Sequence, residues 1–188
     1  MQINHEYQIT RSCFLWLKIP ICLSKADSCG IIEMSKEKIM NIHIVCIGKL
    51  KEKYWQDAAA EYIKRLSRFC KLTISELPES RSDSKEEESA DILAHLPKNA
   101  FVIALDVGGK RLSSEGLAKK ISDLALEGRS DICFVIGGSN GFDDSVRNAA
   151  DLRLSFSDFT FPHQLMRVIL LEQVYRSFKI ISNEKYHK

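Results

Sequence analysis

Several familiar signatures are missing from this chain, and each absence closes a class of function. The six cysteines, Cys13, Cys22, Cys29, Cys46, Cys70 and Cys133, form no CxxC pair, and the five histidines include no HExxH and none at zinc-ligand spacing. The ordinary zinc frameworks are therefore excluded, and no metal site is predicted. Neither GxGxxG nor GxxxxGK[ST] occurs, so both the dinucleotide fingerprint and the triphosphate loop are absent. Long apolar runs are also lacking. The one candidate, CFLWLKIPICL from Cys13 to Leu23, is broken by Lys18 and Pro20 and is too short to span a bilayer as a helix. The SKADSCG that follows is a poor cleavage site, which argues against a secretory signal. Nor does one sign of charge dominate, because 27 basic side chains face 25 acidic ones. A net charge of +2 does not by itself argue for nucleic acid, although local concentration of charge still can.

What is present describes an ordinary globular protein. The 188 residues, 45% apolar and 28% charged, suffice for one good core and fall short of two. Cys46, Cys70 and Cys133 lie in apolar runs, where cysteine behaves as a small hydrophobe, and a reducing, cytoplasmic setting follows. Residues 1–39 differ from the rest. Met40 opens a clean strand, so a natural start at Met40 is expected, with residues 1–39 an upstream extension of weak or no structure and residues 40–188 one domain.

Strands and helices alternate from there on. NIHIVCIG (residues 41–48) is a β-branched run ending in glycine and is predicted as a first buried strand. Trp55, Ala58, Ala59, Tyr62, Leu66 and Phe69 stripe one face of a helix, while Lys53, Lys64, Arg65 and Arg68 share the opposite face with Glu52, Asp57 and Glu61, expected as a solvated surface with an RNA-facing basic patch as the alternative. KLTISEL alternates as a second strand. PESRSDSKEEES (residues 78–89) is expected as a surface loop leading into a helix over residues 90–96. AFVIALD (residues 100–106) and DICFVI (residues 131–136) are near-continuous apolar strands of the kind covered on both faces of a parallel sheet. Gly108 and Gly109 are expected to turn the chain into a helix striped by Leu117, Ile121 and Leu124. A short helix over residues 143–150, a last strand LRLSFS and a mainly apolar final helix after Pro162 complete an α/β chain with five strands in a largely parallel sheet.

In such a sheet, ligands bind beyond the carboxyl ends of the strands, and three of those ends are unusual here. They are Leu105 and Asp106 before a glycine pair, GGSNG (residues 137–141) after DICFVI, and the aromatic, hydroxyl-rich residues 156–161. Glycines let backbone amides approach a ligand closely. Ser139 is not read as a nucleophile elbow, Asp143 and Asp144 are explained as a helix cap, and His163 is expected to cap the final helix rather than serve as a base. Arg167 and Glu172 can form a buried structural pair. A site made of backbone amides with few charges suits chemistry carried by a cofactor.

These same residues carry a resemblance. IALD, FVIGGSNG, LSFSDFTFPHQLMRVILLEQVYR and the terminal YHK closely resemble the SPOUT-class family that methylates a pseudouridine of large-subunit ribosomal RNA at ring nitrogen 3, the ribosomal RNA large-subunit methyltransferase H family. The resemblance covers Met40 to Lys188 and departs at Lys185, where the family commonly has a small residue or proline. It implies a SPOUT fold with a C-terminal trefoil knot. It further implies S-adenosyl-L-methionine as methyl donor, held by Leu105, Gly137, Phe156, Ser157, Asp158, Phe159, Thr160 and Phe161. A homodimer packed through the final helix, ribosomal RNA in the ribosome as partner, and catalytic roles for Tyr186, His187 and Arg167 are implied as well, with Arg176 and Lys188 near the RNA. No membrane partner is implied. Two rivals stand beside this reading: a non-catalytic ribosome-associated binding protein, and a SPOUT enzyme acting on tRNA.

Overall fold

The computed structural model describes residues 39–186. The expectations for residues 1–38, and the candidates His187 and Lys188, lie outside the described residues. Five strands and five helices alternate: β1 (Met40–Ile47), α1 (Lys53–Leu66), β2 (Cys70–Leu77), α2 (Lys85–Ala94), β3 (Phe101–Arg111), α3 (Ser114–Leu126), β4 (Asp131–Ile136), α4 (Asp144–Ala149), β5 (Leu152–Ser155) and α5 (His163–Ile181). The strands form one sheet in the order β2-β1-β4-β3-β5, and every pairing is parallel.

Period-two alternation explains why both faces are covered. On β1, Ile42, Ile44 and Cys46 point to one core, and Val45 and Ile47 to the other. On β4, Ile132, Phe134 and Ile136 divide from Cys133 and Val135 in the same way. The first core is closed by Leu66 of α1, by Leu117 and Ile121 of α3, and by Leu170, Val174 and Phe178 of α5. The second is closed by Ile92 of α2 and Val146 of α4.

Two local expectations change. The serine-rich acidic stretch is not all loop, because α2 begins at Lys85. Ser84 Oγ accepts a hydrogen bond from Glu87 N, and Glu86, Glu87 and Glu88 occupy the first turn. This is a serine cap with glutamates at the positive end of the helix, so acidity here marks a helix start. Gly108 and Gly109 do not end β3 either. Leu105 and Lys110 both pair with Leu154, so residues 106–109 bulge out and the ladder resumes beyond them. A Cβ on Gly109 would stand 2.7 Å from the Arg153 carbonyl carbon, which only glycine avoids.

Candidate functional site

β4, β3 and β5 are adjacent, so their carboxyl ends bring Leu105, Gly137 and residues 156–161 to one edge of the sheet. Leu105 is half-buried at the start of the bulge. Gly137 is buried, and a Cβ there would lie 2.7 Å from the Gly141 carbonyl carbon. The GGSNG loop folds back on itself through a bridge between Gly138 and Gly141, and Gly141 takes φ +72. Beside it, a Cβ on Gly138 would come 2.5 Å from Glu88 Oε2, whose carboxylate also accepts Ser80 N at 3.1 Å. GGSNG has GxSxG spacing, yet Ser139 is exposed and α4 starts only at Asp144. The serine therefore does not sit on the strand-to-helix turn that defines a nucleophile elbow. Asp143 does cap α4, accepting from Ser145 N and Val146 N.

Loop 156–161 is shaped by its own hydroxyls. Ser155 Oγ donates to Ser157 O at 3.0 Å, and Phe159 N donates to Ser157 Oγ at 3.0 Å. Asp158 pairs with Arg111, and the Phe159 ring is 76% exposed. Among the described residues, the amides of 157–161 make no hydrogen bond to another backbone carbonyl, so those other than Phe159's remain available to a ligand. Phe156 and Phe161 line a cavity of about 320 Å³ with Leu112, Leu117, Leu154 and Ile169. Its polar edge is Ser114 Oγ, which donates to Gln173 Oε1 at 2.8 Å. Apolar groups, the polar side chains of Ser113, Ser114 and Gln173, and nearby amides fit a flat heteroaromatic ring with hydrogen-bonding groups.

A second cluster lies under the first turn of α5. Arg167 is 1% exposed and donates through Nη1 to Glu76 Oε1 at 2.5 Å and through Nη2 to the Gly48 carbonyl at 2.7 Å. The expected pairing of Arg167 with Glu172 is thus replaced by one with Glu76. The reason is helical phase: five residues on, Glu172 lies on another face of α5 and instead accepts from Arg176, four residues away, at 2.9 Å and 2.5 Å. His163 does not cap α5, whose flanking residue is Pro162 without a side-chain cap. Its Nε2 is buried without a hydrogen bond, 3.8 Å from Glu79 Oε1. Burial lowers the His163 pKa, outweighing the Glu79 carboxylate, so the imidazole is neutral at pH 7.

Tyr186 lies at the far end of α5. Its ring meets Tyr175 edge-on at 5.0 Å, and the Arg176 guanidinium lies 4.8 Å above it. Burial, reinforced by Glu172 and Tyr62, pushes its phenol up to about 12.

The three described cysteines are not poised as nucleophiles. Burial raises the Cys46, Cys70 and Cys133 thiols to about 12, which leaves no thiolate. Among the described residues, no group of three or more His, Cys, Asp or Glu side chains is placed to hold a metal ion, and no helix is long and apolar enough to cross a membrane. Reading the sequence missed Glu76, the α3 wall of the cavity, and the Arg147–Asp106 pair at 3.2 Å that steadies the bulge. Only Glu76 left a trace, as a charge at the end of an alternating strand.

Residues 40–187 match the family model described as "Predicted SPOUT methyltransferase". The chain is 56% identical over 159 residues to the ribosomal RNA large subunit methyltransferase H of Clostridium novyi (strain NT), covering 79% of this chain and all of that protein. It is 51% identical over the same length and coverage to the enzyme of that name from Clostridioides difficile (strain 630). Among solved structures it resembles the SpoU methyltransferase AviRb of Streptomyces viridochromogenes in complex with AdoMet, at 11% identity and a TM-score of 0.40, covering 80% of this chain and 61% of that one.

Proposed function

The chain belongs to the SPOUT methyltransferase family, and from that premise we propose that it transfers a methyl group from S-adenosyl-L-methionine to N3 of a pseudouridine in large-subunit ribosomal RNA. The observation that carries this reading is the convergence of Leu105, Gly137 and loop 156–161 on one sheet edge, in a chain with full-length relatives more than half identical and named for large-subunit RNA methylation. The activity resides in residues 40–188, acts on the assembled ribosome in the cytoplasm, and requires a homodimer packed through α5. The segment after β5 threads the SPOUT trefoil knot, in keeping with a fifth strand that returns beside β3.

When bound, S-adenosyl-L-methionine supplies an electrophilic methyl group on a sulfonium. The protein's part is positioning and proton handling. Backbone amides of Gly137 and of Ser157, Asp158, Thr160 and Phe161 would hold the donor's polar edges, and Leu105, Phe156 and Phe161 would enclose its ring. His187, at the tail, accepts the imide proton of the base as N3 attacks. Arg167 works from below, fixing the first turn of α5 and with it the end of the cofactor loop.

Calorimetry with S-adenosyl-L-methionine, followed by incubation with methyl-labelled donor and either ribosomes or tRNA, tests the reading. Label is expected in large-subunit RNA, only when the pseudouridine is present, and lost on His187→Ala without loss of donor binding. Absence of donor binding, or label confined to tRNA, overturns it.

A further inference from the structure

The end of α5 is built to turn the chain back sharply. Ser182 N donates to Phe178 O, Asn183 N to Ile180 O and Glu184 N to Lys179 O, all at 2.9 Å. Asn183 takes φ +51, a left-handed residue that closes a helix, and Lys179, only 9% exposed, pairs with Glu184. This reversal carries Tyr186 onto the seam between α1 and α5.

The seam is a cradle of aromatic and charged groups. Tyr175 supplies an edge-on ring at 5.0 Å and Arg176 a cation at 4.8 Å. Glu172 fixes Arg176 through two hydrogen bonds, at 2.9 Å and 2.5 Å. Tyr62 comes from α1, with its ring 6.3 Å from Tyr175, and Arg65 lies 5.5 Å from the Tyr62 ring and 5.8 Å from that of Tyr175. Tyr186 packs against the same apolar core as Tyr62, and burial, with Glu172 and Tyr62 adding to it, raises its phenol.

We infer that Tyr186 is the anchor of the C-terminal tail rather than a proton acceptor, and that Tyr62 and Glu172 are positioning residues that hold this anchor and, through it, the tail's contribution to methyl transfer. Adding to burial, the Glu172 carboxylate disfavours the ionised form of the Tyr186 phenol. The groups around it are Tyr62 and Arg65 from α1 and Glu172, Tyr175 and Arg176 from α5, and the net effect raises its pKa to about 12, so no phenolate forms at neutral pH. The ring contacts with Tyr175 and Arg176 survive removal of the hydroxyl, whereas a base does not.

The inference rests on the methyl-transfer reading, and two readouts keep them separable. In kinetics on ribosomes, Tyr62→Ala is expected to lower kcat at least tenfold while KM and calorimetric Kd for S-adenosyl-L-methionine stay within twofold, and Tyr62→Phe to recover most of the loss. Tyr186→Phe is expected to keep about a fifth of kcat with the same pH profile, and Tyr186→Ala to fall far lower. A Tyr186→Phe enzyme as inactive as Tyr186→Ala, or one missing a limb of the pH profile, overturns the anchor. Fluorine NMR of 3-fluorotyrosine protein, with Tyr186 assigned by its absence in Tyr186→Phe, needs no activity. Tyr186 is expected to titrate well above free 3-fluorotyrosine and to become mobile in Tyr62→Ala. Titration alongside free 3-fluorotyrosine, or no change in mobility, overturns the inference even if ribosomes are not the substrate, while a wild-type enzyme silent on ribosomes overturns the substrate reading alone.

Discussion

Arg167 shows how much one buried side chain can organise. It joins α5 to the ends of β1 and β2 by satisfying Glu76 and the Gly48 carbonyl together. Arg167→Met leaves both acceptors without their donor and is expected to cost about 2–4 kcal/mol, read from urea unfolding; Glu76 is 34% exposed, which places the effect below the largest seen for a wholly buried pair. Arg167→Lys is expected to recover only part, because an ammonium lacks the planar fork that reaches two acceptors. Its neighbour His163 gives a pH signature. Its folded pKa lies below the ordinary 6.5, so the unfolded chain binds the proton more readily. The stability held by the neutral imidazole is full above 6.5 and is lost as pH falls from there through the folded value. His163→Gln is expected to flatten the dependence of unfolding free energy on pH between about 7 and 5. His43, shifted the same way, contributes equally to both proteins, so an unchanged slope would show that His163 does not couple to folding.

At the scale of an element, the bulge in β3 ties the fold to the site. Arg147 and Arg153 both approach Asp106, at 3.2 Å and 3.8 Å, and Gly109 lets β3 pass against the backbone of β5. Gly109→Ala forces these strands apart and is expected to destabilise by about 2 kcal/mol while weakening S-adenosyl-L-methionine binding, since Leu105 and the start of loop 156–161 move with them. Gly116→Ala is the control. Its Cβ would meet neighbours at an ordinary 3.5 Å, in a helix that gains from alanine, so melting temperature and donor affinity are expected to hold or rise. If both variants lose affinity equally, the close approach at Gly109 is not what shapes the site.

For the whole molecule, α5 packs the first core with Leu170, Leu171, Val174 and Phe178, yet leaves Ile180 and Ile181 37% and 38% exposed. Apolar side chains left open on a helix that already has a buried face fit a second copy of the chain. Sedimentation equilibrium is expected to find a dimer, and Ile181→Glu to shift it toward monomer with loss of methyl transfer. A wild-type monomer at all concentrations would remove the homodimer from the proposal.

Much of this was written in local pattern. Alternation in DICFVI and NIHIVCIG determined doubly covered strands because period two places each residue on a face without reference to distant chain. The loops at the strand ends were legible for a related reason: glycine and hydroxyl clusters there have a local backbone cause. Partner choice was not legible. Arg167 finds Glu76 rather than Glu172, Tyr186 finds Tyr62 and Tyr175, and Gly109 continues a strand instead of ending it. Each of these is decided by which element lies alongside, a relation that local pattern does not carry. The sequence by itself determined the order and type of the strands and helices, though not every boundary; only the tertiary structure decided which charges and rings meet, because those contacts exist only after the sheet order is set.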